Sequence, residues 1–124
     1  MKPTFALVIR ILFAISLIVF GLNKFLQFIP TPELEGSGFE LAKIYRDSGF
    51  IEMIGGLEFF GGISLLVNKF VPLALIVMVA ILFNAVVFHL LHDPNGLGGA
   101  VLGLALGLLN IYFVKDRFSG ILSA

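Results

Sequence analysis

The sequence predicts an all-α integral membrane protein, an antiparallel four-helix bundle with a short surface helix in its first outer loop. Of its 124 residues, 59% are hydrophobic and 13% are charged. The mean hydropathy is +1.08. A water-soluble domain of this size has too small an interior to bury that much apolar surface. The apolar residues also form segments of roughly 20 residues, the length that a bilayer requires. We therefore expect a single transmembrane domain over residues 1–124.

The four apolar segments cover about residues 4–28, 50–67, 70–91 and 96–114. The first begins like a signal peptide, with a positive charge before an apolar run. However, Arg10 interrupts this run and no small-x-small cleavage site follows it. We therefore predict that the first segment is a retained membrane helix.

Short turns separate the later segments. Asn68 and Lys69, followed by Pro72, leave only a few residues between the second and third segments, and proline marks the start of a helix. The sequence HDPNG at 92–96 is a turn between the third and fourth segments. The second and third helices must therefore be antiparallel, and so must the third and fourth.

The connection between the first and second segments is long enough to form a helix of its own. Ser37 is followed three residues later by Glu40, which is capping-box spacing, and Gly49 is a typical stop signal. We predict a short helix over about 39–47. Its mixture of apolar and basic residues suits a membrane surface, and a solvated linker helix is the alternative.

The distribution of Lys and Arg predicts the orientation. The positive-inside rule counts basic residues in short loops and near the ends of membrane segments. Four of them lie at the chain ends and in the tight turn, against two in the long connection. We therefore expect both termini in the cytoplasm. The two sets are Lys2, Lys69, Lys115 and Arg117, and Lys43 and Arg46.

Polar side chains interrupt the apolar segments at two depths, counted at ~1.5 Å per residue. Most fall in the outer half of the bilayer. Polar groups at the mouth of an apolar bundle suit a ligand with a polar head and an apolar tail, such as a quinone. The predicted ligand-binding residues are Asn23, Lys24, Glu52, Glu58, Asn84 and His89. In the inner half, Arg10 and Asn110 lie at similar depth, and we expect them to form a structural polar pair.

Glu58 is the deepest acidic residue. It shares a helix face with Gly55 and Gly62, so it points toward another helix, and Lys24 is the nearest cation in depth. Intramembrane ionisable groups usually mark functional sites. The alternative is structural: Glu58 is protonated or hydrogen-bonded to Asn84 and only fixes the helix register.

Glycines at helical spacing predict close helix packing. On the first and second segments they flank the ionisable residues, and on the fourth they form a GxxxGxxxG ridge. The predicted packing positions are Gly21, Gly55, Gly56, Gly62, Gly99, Gly103 and Gly107.

Several functions are disfavoured by composition. The net charge is zero, so nothing indicates nucleic-acid binding. The absence of cysteine excludes thiolate chemistry, Cys-ligated iron–sulfur clusters and c-type haem. His89 and His92 lie on one helix and cannot ligate haem from opposite faces, and no metal-ligand spacing accompanies them, so we predict no metal site. Redox chemistry would need a bound partner or a cofactor, and quinone is the candidate cofactor.

Several stretches together resemble one family. They are R-x-L-F from Arg10 to Phe13, GLNKF at 21–25, IEMIGGLEFFGGISLL at 51–66, and His89. This combination is similar to the DoxX family of small four-helix membrane proteins. The positions that match the family pattern are Lys24, Glu52, Gly55, Gly56, Gly62 and His89.

The resemblance implies a role beside redox enzymes. DoxX relatives include a subunit of an archaeal thiosulfate:quinone oxidoreductase and a bacterial membrane component of an oxidoreductase complex. It therefore implies an accessory or membrane subunit of a redox system in the bacterial inner membrane. Its partners would be the lipid bilayer and other membrane subunits or further copies of the chain. The sequence has no nucleophile-plus-base arrangement, so we do not expect an enzyme in the isolated chain.

Two other functions are compatible with the same residues. A non-enzymatic membrane scaffold or assembly partner would act through helix packing, with either the glycine ridge or the surface helix of the long connection as its contact surface. Proton or ion conduction along Arg10, Ser16, Asn23 and Glu58 is disfavoured, because four helices hardly enclose a pore.

Overall fold

The computed structural model describes residues 2–30 and 33–120, which are helical and contain no strand. Four of the helices are long and apolar enough to cross a membrane. In lipid, a helix satisfies its backbone hydrogen bonds internally, which favours this arrangement. The prediction of an all-α membrane bundle is confirmed. The helices are α1 (Lys2–Leu26), α2 (Gly36–Asp47), α3 (Phe50–Val67), α4 (Val71–His92) and α5 (Leu97–Phe113), with 3-10 turns at Pro94–Gly96 and Lys115–Phe118.

The observed helix ends differ from the predicted ones by at most three residues. Helix α1 ends at Leu26, because Gln27 has a φ of 52° and breaks the helix. Helix α2 begins at Gly36, three residues before the predicted start, and Glu35 precedes it without a side-chain cap. The capping-box prediction at Ser37 is therefore wrong, and the Ser37 hydroxyl bonds to another helix.

Contacts between residues distant in sequence bring the turn after α3 and both ends of the chain to the same end of the bundle. The Arg117 Nη1 group donates to Asn68 Oδ1 at 2.8 Å, and the Phe5 and Phe113 rings meet edge to face at 5.6 Å. We call the end with residues 68–70 and 113–118 the terminal end. We call the opposite end, with α2 and the turn at 93–96, the roof end.

Helices α1 and α3 touch through their backbones. A Cβ atom at Gly21 would lie 2.7 Å from the carbonyl oxygen of Gly55, and one at Gly55 would lie 2.8 Å from that of Gly21. At Gly62 a Cβ atom would lie 2.8 Å from the carbonyl oxygen of Ala14. Any side chain at these three glycines would separate the helices. The contact fixes which residues of α1 and α3 face each other.

The apolar core occupies the half of the bundle nearer the terminal end. There α3 and α4 are joined by a short turn and pack closely, and Met78 lies against Gly61. The turn at Lys115–Phe118 closes this end with a buried phenylalanine. The core residues are Phe13, Ala14, Leu17, Leu65, Val71, Ala74, Leu75, Met78 and Phe118.

The glycine ridge of α5 packs only in part. Gly103 and Gly107 approach Leu82 and Val79 of α4, but a Cβ atom at Gly99 would meet nothing within 4 Å. A spacing of four residues exceeds the 3.6 residues of one turn, so the ridge drifts off the buried face. Ala100 is the buried residue there instead.

The predicted packing at Gly56 is also absent. A Cβ atom there would meet nothing within 4 Å. The neighbouring Gly55 faces α1, and consecutive helical residues point about 100° apart. The packing predictions at Gly56 and Gly99 are therefore wrong within the described chain.

Candidate functional site

A cavity of about 630 Å³ lies between α3 and α4 at the roof end. The core holds the two helices together at the terminal end, whereas α2 covers the space between them at the roof end. Leu41, Ala42 and Tyr45 of α2 line the cavity. Most of its wall is apolar, and α1 contributes Lys24.

The deepest polar feature of the cavity is an ion pair between α1 and α3. Lys24 Nζ lies 2.5 Å from Glu58 Oε1, and the two side chains are 26% and 8% exposed. The backbone contact between Gly21 and Gly55 brings the helices close enough for this bond. Glu58 therefore faces a cation, and Lys24 keeps ammonium protons that point away from the carboxylate.

A second pair lies at the end of α4. His89 Nδ1 is 3.0 Å from the Asp93 carboxylate, which orients the ring. A neutral ring that donates from Nδ1 to this carboxylate has an unprotonated Nε2, and an imidazolium would donate from it. The ring also packs against Gly96, where a Cβ atom would lie 2.5 Å from it. His89 thus enters the cavity wall in a fixed orientation.

Two further polar side chains of α4 line the cavity. Asn84 donates from Nδ2 to the carbonyl oxygen of Ala80 at 2.9 Å, so it is not bonded to Glu58. Its amide oxygen makes no hydrogen bond within residues 2–30 and 33–120. His92 Nδ1 lies 2.8 Å from the Ser37 hydroxyl and ties α4 to the start of α2. The cavity therefore combines donors and acceptors from α1, α3 and α4 with a mostly apolar lining.

Two of the predicted site residues lie outside the cavity lining. Asn23 accepts a hydrogen bond from the Ile29 backbone N–H at 2.8 Å and holds the chain as it leaves α1. The Glu52 Oε2 atom is buried and has no hydrogen-bond partner in the described part of the chain. Lys24, Glu58, Asn84 and His89 are brought together, while Asn23 and Glu52 are not.

The predicted pair of Arg10 and Asn110 does not form. Asn110 donates from Nδ2 to the carbonyl oxygen of Leu106, one turn earlier on its own helix. The Arg10 Nε atom is buried and has no hydrogen-bond partner among the described residues. The prediction rested on equal depth in the membrane, but the short side chain of asparagine forms a hydrogen bond more readily with a backbone carbonyl of its own helix.

Sequence reasoning missed Asp93, which was treated only as a turn residue. Its spacing of four residues from His89 was the available signal, since residues at i and i+4 meet on a helix. Tyr45 and Ser37 were also missed, because the position of α2 over the cavity depends on tertiary contacts.

A family model described as DoxX matches residues 5–90. The match begins in α1 and reaches into the last turn of α4, so it includes Lys24, Glu58 and His89 and excludes Asp93 and α5. No curated protein and no solved structure matches the chain.

Proposed function

The chain belongs to the DoxX family, and on that premise we propose that it is an accessory or membrane subunit of a redox system. In this proposal the roof-end cavity binds a quinone or another amphiphile with a polar head. The observation that carries the proposal is the meeting of the Lys24–Glu58 ion pair and His89, whose ring is held by Asp93, at one largely apolar cavity.

The two pairs suit a head group that accepts hydrogen bonds. The Lys24 ammonium has three protons and uses one for Glu58, so it can donate to a carbonyl oxygen. His89 can donate to a head-group oxygen when its Nε2 carries a proton, and the bond from Nδ1 to Asp93 holds the ring in place. Apolar side chains such as Ile54 and Ile81 would surround the tail. The residues we assign to the ligand are therefore Lys24, Glu58, Asn84 and His89.

In this proposal the chain orients the quinone and supplies protons to it, and another protein supplies the electrons. Reduction of a quinone to a quinol takes two electrons and two protons. The chain contains no cysteine and therefore no thiol that could deliver the electrons. His89 and Lys24 can each pass a proton to a quinone oxygen, with Asp93 and Glu58 as their partners. This division of roles favours a subunit over an enzyme that acts alone.

The proposal is tested by quinone binding to the purified chain in detergent micelles. Decylubiquinone should raise the unfolding temperature of the wild type, because a ligand that binds only the folded state stabilises it. The variant Asn84→Leu should weaken this effect, whereas Asn95→Ala, in the exposed turn, should leave it intact. The proposal fails if decylubiquinone does not stabilise the wild type, or if both variants respond alike.

A membrane scaffold or assembly partner is the second candidate. The observation in its favour is the exposed roof-end face of α5, where Gly98 and Gly99 have open space above them. Glycines of this kind allow a second membrane helix to approach closely. The variant Gly99→Leu should then break a complex with another subunit, or with a second copy, and leave decylubiquinone binding unchanged. Isolation of the wild type from native membranes as a bare monomer would contradict this function.

We also propose a location in the bacterial cytoplasmic membrane with both termini in the cytoplasm. The terminal end carries most of the basic residues of the chain, in the direction of the positive-inside rule. A fluorescent protein fused after residue 124 should fold and fluoresce, because it would remain in the cytoplasm. An alkaline phosphatase fusion at that position should be inactive, and activity there would reverse the orientation.

A further inference from the structure

We propose that Arg10 forms a second binding site, separate from the cavity, for the phosphate of an anionic phospholipid in the leaflet at the terminal end. This site does not depend on the function proposed for the roof end.

Arg10 is a cation inside the membrane without a partner among the residues that the structure describes. It lies eight residues after the start of α1, about 12 Å along the helix. Its Nε atom is buried, and it makes no hydrogen bond with any described residue. Asn110, the amide at similar depth, is bonded to its own helix. A guanidinium at this depth is costly unless it is paired or reaches the interface.

The described acidic residues offer no partner. Glu58 is paired with Lys24, and Lys24 lies about 21 Å farther along α1 than Arg10. At the terminal end, Asp116 is the one acidic residue within 33–120, and it makes no ion pair there. The counter-charge of Arg10 must therefore come from outside the described chain.

Charge at the terminal end favours an anionic lipid as that source. The end holds five of the eight basic residues and one of the eight acidic residues, a net charge of +4. Basic residues beside a membrane attract anionic lipids. The basic residues are Lys2, Arg10, Lys69, Lys115 and Arg117.

The chemistry of arginine selects the phosphate group. A guanidinium has five donors in a planar fork that matches two phosphate oxygens at once. Its long side chain can also reach from the hydrocarbon toward the head groups. Arg10 is half-buried, so part of its side chain is accessible from the bilayer. A phosphate carried on a lipid is already at the interface, whereas inorganic phosphate would have to leave water.

The test compares lipids added to the protein in dodecyl maltoside micelles, which contain no phosphate. Dioleoyl-phosphatidylglycerol should raise the unfolding temperature of the wild type more than dioleoyl-phosphatidylcholine does. Arg10→Met should remove this difference and weaken phosphatidylglycerol binding roughly tenfold, the loss typical of one charge-assisted hydrogen bond. Without added lipid, Arg10→Met should unfold at a higher temperature than the wild type, because an uncompensated charge has been removed.

Lys69→Met is the matched control, since Lys69 is an exposed cation at the same end. It should keep most of the response to phosphatidylglycerol. Arg10→Lys keeps the charge and loses the fork, so it should retain only part of the response. The proposal is overturned if Arg10→Met responds like the wild type, or if Lys69→Met loses as much. A response to inorganic phosphate as large as that to phosphatidylglycerol would also overturn it, in favour of a free-phosphate site.

Discussion

Replacing Glu58 by methionine while Lys24 is kept would leave a cation at the α1–α3 contact without its carboxylate. Breaking a buried ion pair by removing one partner typically costs ~3–5 kcal/mol. The Lys24 side chain is 26% exposed and can turn toward water, so we expect a loss of about 2–3 kcal/mol. At ~4 °C per kcal/mol, the unfolding temperature would fall by about 10 °C. Thermal unfolding in detergent, followed by circular dichroism at 222 nm, measures this change.

A double variant distinguishes the effect of breaking the ion pair from the effect of removing the carboxylate alone. Lys24→Met alone should destabilise the protein to a similar degree, because it leaves Glu58 buried and unpaired. Lys24→Met with Glu58→Met replaces the pair by two apolar side chains of similar size, and should lie within about 1 kcal/mol of the wild type. Additive losses in the double variant would refute the view that the two charges stabilise each other.

Three further predictions concern single contacts. Gly55→Ala should lower the free energy of unfolding by about 1–3 kcal/mol, because its Cβ would lie 2.8 Å from the Gly21 carbonyl oxygen. Gly56→Ala lies in open space and should be neutral or stabilising. Equal effects of the two variants would contradict the backbone contact between α1 and α3. Gly38→Ala should speed amide hydrogen exchange over residues 36–47, because its Cβ would lie 2.6 Å from the His92 carbonyl oxygen and weaken the docking of α2. Unchanged exchange would show that the stability of α2 does not depend on this contact. Asn23→Ala should cost about 1 kcal/mol of stability and leave decylubiquinone binding intact; loss of binding would return Asn23 to the site.

Hydrophobic length and turn chemistry were sufficient to predict the membrane helices, because a bilayer sets the length of a spanning helix and turn residues such as Pro and Asn mark its ends. The face of α3 that bears Gly55, Glu58 and Gly62 was predictable for a similar reason, since helical spacing alone decides which residues share a face. Depth named Lys24 as the nearest cation to Glu58, but it left a bond to Asn84 as the alternative, and only the structure distinguishes the two.

Predictions that required tertiary information were less successful. Equal depth suggested the pair of Arg10 and Asn110, but depth does not give the rotation of a helix or the alternative bonds of an amide. Gly99 does not pack within the described chain, because four-residue spacing drifts from the helical period. Asp93 reaches His89 through the fold of a turn, and Tyr45 reaches the cavity through the position of α2, neither of which local patterns specify.

The contact between α1 and α3 also constrains how relatives of this protein can diverge. Backbone atoms make that contact at Gly21 and Gly55, so its geometry does not depend on side chains elsewhere in the bundle. Substitutions on the α4 wall, for example at Ile81 or Val87, can alter the size and polarity of the cavity without moving the ion pair. The position of the ion pair is therefore set by the α1–α3 backbone contact, whereas the surface of α4 that faces it can vary independently.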